Sequence, residues 1–418
     1  MSRFNRLVTM ILGAVIGAAA LFLPGSLHAG NSSSHAPILI QSDSDFLSCG
    51  CVTGGSGTPD SPYIIGPWSI NNASADAVRI DGTHLSGSFV LYNLTIAGSQ
   101  TGPYNGIVLK HINPAGTQKI IAKVIGSQTS IINRNIGILV DSSSYVTLDG
   151  GGANPNGAGI ISPAGAINQN ISGAIDIENS SNVTVTGWQM SANGQDQQPD
   201  WITLDPALDH WGVGGVRLFG VTHSLIDHNA ANNCTSISYS LFNSSGNTVS
   251  NNTADYPFVA NFIVSDGSSN NILTGNVAGT GDFFGILVAD PLPNTPTLSL
   301  YGSSHDNLIN NNISHSNGPT GNEIKSGTSP AFLGGIAILN GTYNNKILNN
   351  QDWSSTGGDL VWAQVVPDST SAIGVVTYPP ILHCNVTASE GGGGIAKLNG
   401  NVWSGNSAKL IDPCIPAQ

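Results

Sequence analysis

Residues Tyr239–Asn252 read YSLFNSSGNTVSNN and residues Ile263–Asn276 read IVSDGSSNNILTGN. Both stretches contain an apolar segment, a small polar turn, a second short apolar segment and a closing asparagine. They are offset by 24 residues, and the copy that begins at Val216 precedes Tyr239 by 23. A further copy runs from Ala337 to Asn350, and looser copies run from Ile138 to Asp149 and from Ile175 to Trp188. A repeat of this length is too short for two full helices, but it holds three short strands and their turns.

Three short strands per repeat predict one coil of a β-helix. Each strand alternates apolar and polar residues, so half of its side chains enter a narrow core and half face outward. Asparagines at the same turn in successive coils can stack and exchange amide hydrogen bonds. We therefore predict an all-β fold, a single-stranded right-handed parallel β-helix (solenoid) of roughly 24-residue coils with N- and C-terminal caps. A sandwich or propeller would need longer antiparallel strands and would give no asparagine ladder at this period.

The composition restricts the partners of the protein. Only 9% of the residues are charged, 52 are glycine, and the formal net charge is −13. Without the segment 1–29, ten basic residues remain against 25 acidic ones, a formal charge of −15. Nucleic acid is a poor partner for such a chain. The same repulsion disfavours strongly anionic polysaccharides unless a cation bridges them, whereas neutral glycans are unaffected.

The N-terminal segment, 1–29, has the pattern of a secretory signal. Arg3 and Arg6 precede an apolar run from Leu7 to Leu23, and Ala29 is a small residue at a suitable cleavage position. The alternative is an uncleaved membrane anchor, because the run approaches the shortest spanning length. We expect a secreted or cell-surface protein, with the periplasm as a second location. The expected domains are a signal peptide at 1–29, an N-terminal cap at 30–78, repeats at 79–353 and C-terminal coils with a cap at 354–418.

Five cysteines lie beyond the predicted signal, in a compartment that permits disulfides. Cys384 and Cys414 both lie in the last segment of the chain, and we predict that they form a disulfide that ties the last coils together. Cys49 and Cys51 could form a local disulfide, contribute to a longer one, or bind a soft metal such as copper. Cys234 lies within a repeat, where a small buried residue is expected.

The segment from Gly55 to Ile65, GSGTPDSPYII, is followed by Trp68-Ser69-Ile70. Together with the later Asn-Thr-Val and Asn-Asn turns, it resembles NosD-like β-helix proteins and the broader group of repeats found in carbohydrate-binding proteins and sugar hydrolases. The resemblance covers roughly Gly55 to Asp352. It implies the fold and says little about a site. Because the prototype helps to mature a periplasmic copper enzyme, it also implies copper handling as an alternative.

A long insertion between two copies holds the densest group of polar and aromatic residues. Carboxylates there could supply acid and base groups for glycoside chemistry while tryptophans stack on sugar rings. An acidic solvent loop held to the rod by its tryptophans would have the same composition. The insertion contains Asp196, Asp200, Trp201, Asp205, Asp209, His210 and Trp211, and it is followed by His223, Asp227 and His228.

Asp176 and Arg217 occupy equivalent positions in two copies, between the apolar pairs Ile175/Ile177 and Val216/Leu218. We expect the two charged side chains to project outward as stacked neighbours on one sheet. Such a pair could position and polarise a sugar acid or hydroxyl. A plain cross-strand ion pair is the other interpretation.

Other catalytic and metal motifs are weak. The Asn-Thr-Asp, Asp-Asp, Gly-His-Gly and Arg-Ile-Lys segments of polygalacturonases do not occur in the sequence, and Glu323-Ile324-Lys325 resembles only the last of them. His305 and His315, with Asp306 between them, could bind a metal. No cofactor is indicated by a motif, although calcium or copper would be compatible with the residues present.

The hypotheses left by the sequence belong to three classes. The first is a secreted or surface β-helix that binds a neutral or weakly charged polysaccharide along one outer sheet and could process it as a hydrolase or lyase. Its candidate catalytic residues are Asp176, Asp205, Asp209, His210 and Arg217, and its candidate sugar-binding residues are Trp201 and Trp211. The second is a non-catalytic envelope or adhesion rod, and the third is a NosD-like periplasmic copper-handling protein.

Overall fold

The protein is described here by a computed structural model. The structure describes residues 32–99, 102–114, 116–152, 165–170, 172–194, 214–234, 237–257, 260–281, 284–289, 302–317, 335–339, 342–353, 360–365, 381–383, 401–404 and 406–407. The predicted signal peptide, most of the long insertion, Cys384 and Cys414 lie outside these residues.

The described strands form three sheets, and each coil contributes one strand to every sheet in turn. Sheet I contains Ile38–Ile40, Val78–Asp81, Ile107–Lys110, Ile136–Asp141, Gly173–Glu178, Val216–Phe219, Ile237–Phe242, Ala260–Ser265, Phe284–Val288, Ile336–Leu339, Leu360–Val365 and Ile381–His383. Sheet II contains Val52–Gly54, Tyr63–Ile65, Phe89–Tyr92, Ala122–Ile125, Val146–Asp149, Thr184–Thr186, Leu225–Asp227, Thr248–Ser250, Ile272–Thr274, Leu308–Asn310, Lys346–Leu348 and Val402–Ser404. Sheet III contains Ser33–Ser34, Trp68–Asn71, Thr95–Ala97, Ser130–Ile132, Gly165–Asn168, Trp188–Ser191, Ala230–Asn232, Thr253–Asp255, Val277–Ala278, Ile313–His315 and Gln351–Trp353.

Strands of successive coils pair in parallel, as in Ile175 opposite Val216 and Val216 opposite Tyr239. Antiparallel pairing among the described strands is confined to the two ends, Val52–Gly54 with Tyr63–Ile65 and Leu360–Val365 with Ile381–His383. The predicted right-handed parallel β-helix is therefore confirmed.

The alternation that predicted the strands also builds the core. Ile175 and Ile177 point inward and join the central apolar cluster, while Asp176 between them points outward. Inward residues of all three sheets meet in this cluster along the rod. Tyr239 and Phe262, on adjacent strands of sheet I, stack inside the core with ring centroids 4.9 Å apart. The inward residues opposite them on sheet III are alanines, such as Ala231 and Ala254, so small side chains compensate for large ones in the narrow interior.

Asparagine ladders close the turns. The turn after sheet II carries a ladder in which each Nδ2 donates to the next Oδ1 at 3.0 or 3.1 Å. Consecutive members are separated in sequence by 23, 24, 36, 38 and 56 residues. All six side chains are buried, so they satisfy backbone groups that water does not reach. The ladder runs through Asn229, Asn252, Asn276, Asn312, Asn350 and Asn406.

A second ladder lies at the turn after sheet III. Asn170 donates to Oδ1 of Asn193 from its backbone N–H and from Nδ2, at 3.1 and 2.9 Å. Cys234 takes the next position, where its buried thiol donates long hydrogen bonds to the carbonyls of Met190 and Asn232, at 4.0 and 3.9 Å. At the other end Arg134 is buried, and its guanidinium donates to the carbonyls of Asn72, Ala75 and Asn105 in preceding coils. Cys234 is thus the small buried residue predicted from its place in the repeat.

The N-terminal end is covered by a short helix, Asp43–Ser48. Phe46 on this helix is buried against Tyr63, with ring centroids 4.7 Å apart, and closes the first coils. Cys49 and Cys51, which follow the helix, form a disulfide with each other. Of the three interpretations of this pair, the structure shows the local disulfide.

The sequence alignment of the repeats was wrong by one residue on sheet I. Tyr239 pairs with Phe262, not with Ile263, and the copy that was predicted to begin at Ala337 begins at Ile336. The offset of 24 holds on sheet II, because the turn between the two sheets gains one residue at Gly267, which has a φ of +74°. Ile263 is itself buried although it faces outward, so apolar character did not reveal which residue faces the core.

Candidate functional site

The predicted pair of Asp176 and Arg217 is present in the expected register on adjacent strands of sheet I. Arg217 Nε donates to Asp176 Oδ1 at 2.8 Å, and Nη2 donates to Oδ2 at 3.0 Å. Nη2 also donates to Glu178, and the guanidinium lies 5.5 Å from the centroid of the Phe219 ring. The two side chains are stacked neighbours, as predicted.

Both side chains of this pair have 0% of their surface exposed. The guanidinium is buried, and it is hydrogen-bonded by one carboxylate in bidentate fashion and by a second carboxylate. These two carboxylates compensate its charge within the protein. In this conformation it stabilises the outer side of sheet I and is out of contact with solvent. This geometry favours the structural interpretation of the pair, and a catalytic role for either residue stays a prediction.

The other predicted catalytic and sugar-binding residues belong to the long insertion. Asp205, Asp209, His210, Trp201 and Trp211 lie outside the described residues, as does most of the insertion that carries them. That insertion enters the described chain after the sheet III strand Trp188–Ser191 and before the sheet I strand Val216–Phe219. It therefore joins the rod at the edge between sheets III and I.

The predicted metal-binding residues are not brought together. His305 lies at a turn before sheet II, with Nδ1 2.7 Å from Asp306 Oδ2 and its ring stacked on Tyr343. His315 lies on sheet III, a different side of the coil. Among the described residues there is no group of three His, Cys, Asp or Glu side chains that could hold a metal ion. The sulfurs of Cys49 and Cys51 are bonded to each other in this form and are not thiolate ligands.

The three outer faces differ in charge. The strands of sheet I carry outward charges at Arg79, Asp81, Lys110, Asp141, Asp176, Glu178 and Arg217. Those of sheet II carry Lys123, Asp149, Asp227 and Lys346. In the eleven described strands of sheet III the acidic, basic and histidine side chains are Asp255, His315 and Asp352, and Asp352 is buried. The described strands of sheet III therefore form an almost uncharged face in a chain whose net charge is −13.

The outer face of sheet III is open to solvent as well as neutral. Apart from Asp255 and His315, its outward residues are mainly serines, threonines, amides and aliphatic residues, such as Ala230 and Ile313, that are half-buried or exposed. Eleven strands spaced about 4.8 Å apart give this face a length of about 48 Å. The face includes Gln189, Ala230, Asn232, Thr253 and Gln351.

Asp255 and His315 stand in one outward row of this face, with Gly279 between them. Gly279 leaves a gap that the Asp255 carboxylate enters, since a Cβ built on this glycine would lie 2.2 Å from Asp255 Oδ1. Oδ1 accepts a hydrogen bond of 2.7 Å from the backbone N–H of Thr280. Burial raises the pKa of Asp255, although the Thr280 hydrogen bond and the nearby His315 oppose that shift. Tyr256, the next residue, is 58% exposed.

Asp255 has no signal of its own in the sequence. It is the last residue of the sheet III strand Thr253–Asp255, and a single aspartate at a strand end has no distinguishing spacing. The signal that could have indicated it is the row Asp255, Gly279 and His315, which appears only when the strands of successive coils are aligned.

Comparison with known proteins shows that this chain is similar in fold to several solved structures. No protein-family model matches the chain, and no curated protein matches its sequence. Among solved structures, the Dettilon tailspike protein is similar with a TM-score of 0.47 and 12% identity over 90% of this chain, which spans 59% of the tailspike. The A-module of a mannuronan C-5 epimerase from Azotobacter vinelandii gives a TM-score of 0.34 and 10% identity, covering 83% of this chain and 91% of that one. A DFA-IIIase from Arthrobacter chlorophenolicus A6 gives 0.36 and 11%, covering 93% and 97%.

At these identities the likeness concerns the fold, which the pairing of the three sheets already defines. The finer resemblance to NosD-like proteins is matched by no family model and stays a prediction. Among the described helices, none has the length and apolar character needed to cross a membrane.

Proposed function

We propose that this protein binds a neutral or weakly charged polysaccharide along the outer face of sheet III. The observation that carries the proposal is the almost uncharged, solvent-accessible surface that extends over the eleven strands of this sheet. Export to the cell surface or the extracellular space is part of the proposal, because the polysaccharides of a cell envelope are found there.

The geometry of a β-helix suits a linear polymer. Every outward position recurs in each coil, so the face offers equivalent positions at intervals of about 4.8 Å along the rod. A polymer of similar units laid along the axis can repeat its contacts from coil to coil. Many weak contacts then act together, as they do when linked binding units share one ligand.

The chemistry of the face suits sugars. Amides such as Gln189 and Asn232 both donate and accept hydrogen bonds, and hydroxyls such as Thr253 do the same. Small aliphatic residues such as Ala230 let a ring approach closely. The absence of lysine and arginine from the described strands of sheet III disfavours phosphate-bearing polymers, which bind through cations.

The test compares two charged substitutions in one coil. Ala230→Arg places a long cationic side chain across the sheet III face, while Leu225→Arg places the same side chain on the outer face of sheet II. Binding of purified wild-type protein and both variants is measured on a polysaccharide array, with thermal unfolding as a check on folding. We expect Ala230→Arg to weaken binding at least tenfold and Leu225→Arg to leave it unchanged. The opposite pattern, or a wild type that binds no polysaccharide, would contradict the proposal.

The same assay tests whether the long insertion takes part in polysaccharide binding. If Trp201 and Trp211 extend the site across the edge between sheets III and I, their replacement by Ala weakens binding to the same polysaccharide. Unchanged binding would mean that the insertion takes no part. Mass spectrometry of the array supernatants reports whether the bound polymer is also cleaved, which is the outcome that a catalytic role for Asp205, Asp209 or His210 requires.

A non-catalytic rod of the cell envelope is the second candidate, and one observation favours it. The six-asparagine ladder is continuous from Asn229 to Asn406 and is buried along its length. Such a rod resists unfolding whatever it binds. Wild-type protein that neither binds nor cleaves any polysaccharide, yet withstands proteolysis for hours, would support this candidate over the first.

A further inference from the structure

Asp255 and His315 are the two ionisable side chains on an otherwise neutral outer face of sheet III, among the residues that the structure describes. They occupy one outward row, Asp255 one coil before Gly279 and His315 one coil after it. Because two coils separate their backbones, their Cα atoms are about 9.6 Å apart. The carboxylate leans over Gly279 toward the histidine, which shortens the distance between the two functional groups.

The glycine between them is required for this arrangement. Any Cβ at Gly279 would lie 2.2 Å from Asp255 Oδ1 and 2.7 Å from its Cγ, so a larger residue would displace the carboxylate. The backbone of Thr280 holds Oδ1 in place, while Oδ2 accepts no hydrogen bond from the described residues. One oxygen of the carboxylate is therefore positioned by the protein, which leaves the other as an acceptor for a ligand.

We propose that Asp255 and His315 form a specificity subsite that holds two adjacent free hydroxyls of one sugar ring, and that the bound polysaccharide therefore carries such a pair. This inference rests on the proposed function and names the class of its ligand. Asp255 accepts hydrogen bonds from the hydroxyls, and His315 bonds to the same sugar from two coils further along. Tyr256 is exposed beside them and supplies an aromatic surface of the kind on which sugar rings stack.

The chemistry of a carboxylate explains the selectivity. An ionised carboxylate has two acceptor oxygens and no donor, so it is satisfied by a ligand that offers two donors side by side. Hydrogen bonds to a charged group are stronger than those between neutral groups. On a face that otherwise offers neutral groups, Asp255 contributes the strongest polar contact.

The test measures affinities for sugar hexamers that differ in free hydroxyls. Cellohexaose, mannohexaose and xylohexaose carry adjacent free hydroxyls in each unit, whereas the internal units of laminarihexaose, linked through position three, do not. Calorimetry with wild type is expected to show binding of at least one of the first three and at least tenfold weaker binding of laminarihexaose. Asp255→Asn keeps the shape but removes the charge, and we expect it to weaken binding of the preferred hexamer at least tenfold.

Three further variants make the result specific. Gly279→Ala displaces the carboxylate of Asp255 without altering an ionisable group. We expect it to weaken binding of the preferred hexamer as much as Asp255→Asn does. Thr248→Ser, on the outer face of sheet II in the same coil as Asp255, is expected to bind as wild type does. Binding is also expected to fall as the pH drops through the pKa of Asp255, which lies above the ordinary value. The pH dependence of binding is measured in His315→Gln as well, and the dependence that persists in this variant belongs to the carboxylate of Asp255.

The outcomes separate this inference from the proposed function. Wild-type binding that Asp255→Asn and Gly279→Ala both leave unchanged would overturn the subsite while leaving polysaccharide binding in place. Equal affinity for laminarihexaose and for the other hexamers would overturn it as well. Failure of wild type to bind any hexamer or array polysaccharide would reject the proposed function, and the subsite with it.

Discussion

Replacement of Asn276 by Ala interrupts the long asparagine ladder in its middle. Oδ1 of Asn276 accepts from the backbone N–H of Asn252 at 3.0 Å and from its Nδ2 at 3.1 Å. Nδ2 of Asn276 donates to the carbonyl of Val249 at 2.8 Å and to Oδ1 of Asn312 at 3.0 Å. The substitution removes all four hydrogen bonds at once.

The expected cost follows from the donors that lose their acceptor. Asn276 is 1% exposed and Asn252 is fully buried, so water cannot replace the lost oxygen. Each buried donor left unsatisfied costs about 1–3 kcal/mol, and two donors of Asn252 are affected, which gives about 2–6 kcal/mol. With a slope of about 3 kcal/mol per molar urea, the midpoint of unfolding falls by about 0.7–2 M.

The assay is urea unfolding followed by circular dichroism, with Thr274→Ala as the matched control. Thr274 faces outward on the sheet II strand of the same coil, and its loss is expected to cost no more than about 0.5 kcal/mol. Hydrogen exchange of the peptide that contains Asn252 gives a local measurement, which is needed because an elongated repeat protein need not unfold in one step. A midpoint shift equal to that of Thr274→Ala, with unchanged exchange at Asn252, would refute the reasoning.

Four other perturbations test features of the described coils. Arg217→Ala leaves the carboxylate of Asp176 buried without its cation, and we expect a loss of about 3–5 kcal/mol in urea unfolding; a loss of activity with unchanged stability would instead favour a catalytic arginine. Arg134→Met leaves three backbone carbonyls of the first coils without their donor, so hydrogen exchange should rise there and not in coils beyond residue 214. Burial raises the pKa of the Cys234 thiol to about 11, so the native protein should resist alkylation at this cysteine, as read by peptide mass mapping, until urea unfolds it. Partial burial alone would raise the pKa of Asp81, but hydrogen bonds from Thr83 together with His111 hold this pKa at about 2. Because the folded value is below the unfolded one, the ionised Asp81 stabilises the fold above about pH 4, and this stabilisation is lost as the pH falls toward 2. Asp81→Asn should remove this loss from acid unfolding curves.

Much of the fold could be predicted from sequence because the signals were local and repeated. The closing asparagines of the copies, at Asn229, Asn252, Asn276 and Asn350, were identified by eye and all belong to one ladder. The register of Asp176 against Arg217 was also correct, since each lies between two inward aliphatic residues. The one-residue error at Ile263 arose where outward and inward residues are both apolar and buried, so alternation held no information there.

The candidate site was harder to predict for a physical reason. Asp255 and His315 are far apart in sequence, and their coils are separated by connections of unequal length. Only the stacking of the sheet III strands places them in one row, with Gly279 between them. The neutrality of the sheet III face likewise depends on how the fold distributes the charged residues among the three faces. The chain as a whole is acidic, and its charges on the described strands are distributed mainly to the other two faces.

The ladder after sheet II keeps its hydrogen bonds at 3.0 to 3.1 Å whether its consecutive asparagines are 23 or 56 positions apart in the sequence. The hydrogen bonds of the ladder therefore do not depend on the residues inserted between two coils, provided that the chain returns to the next asparagine position. Evolution could lengthen or exchange a loop at one coil without disturbing the others. The same tolerance makes the rod a candidate display scaffold, on which foreign peptides could be grafted at chosen heights along an axis with a known spacing.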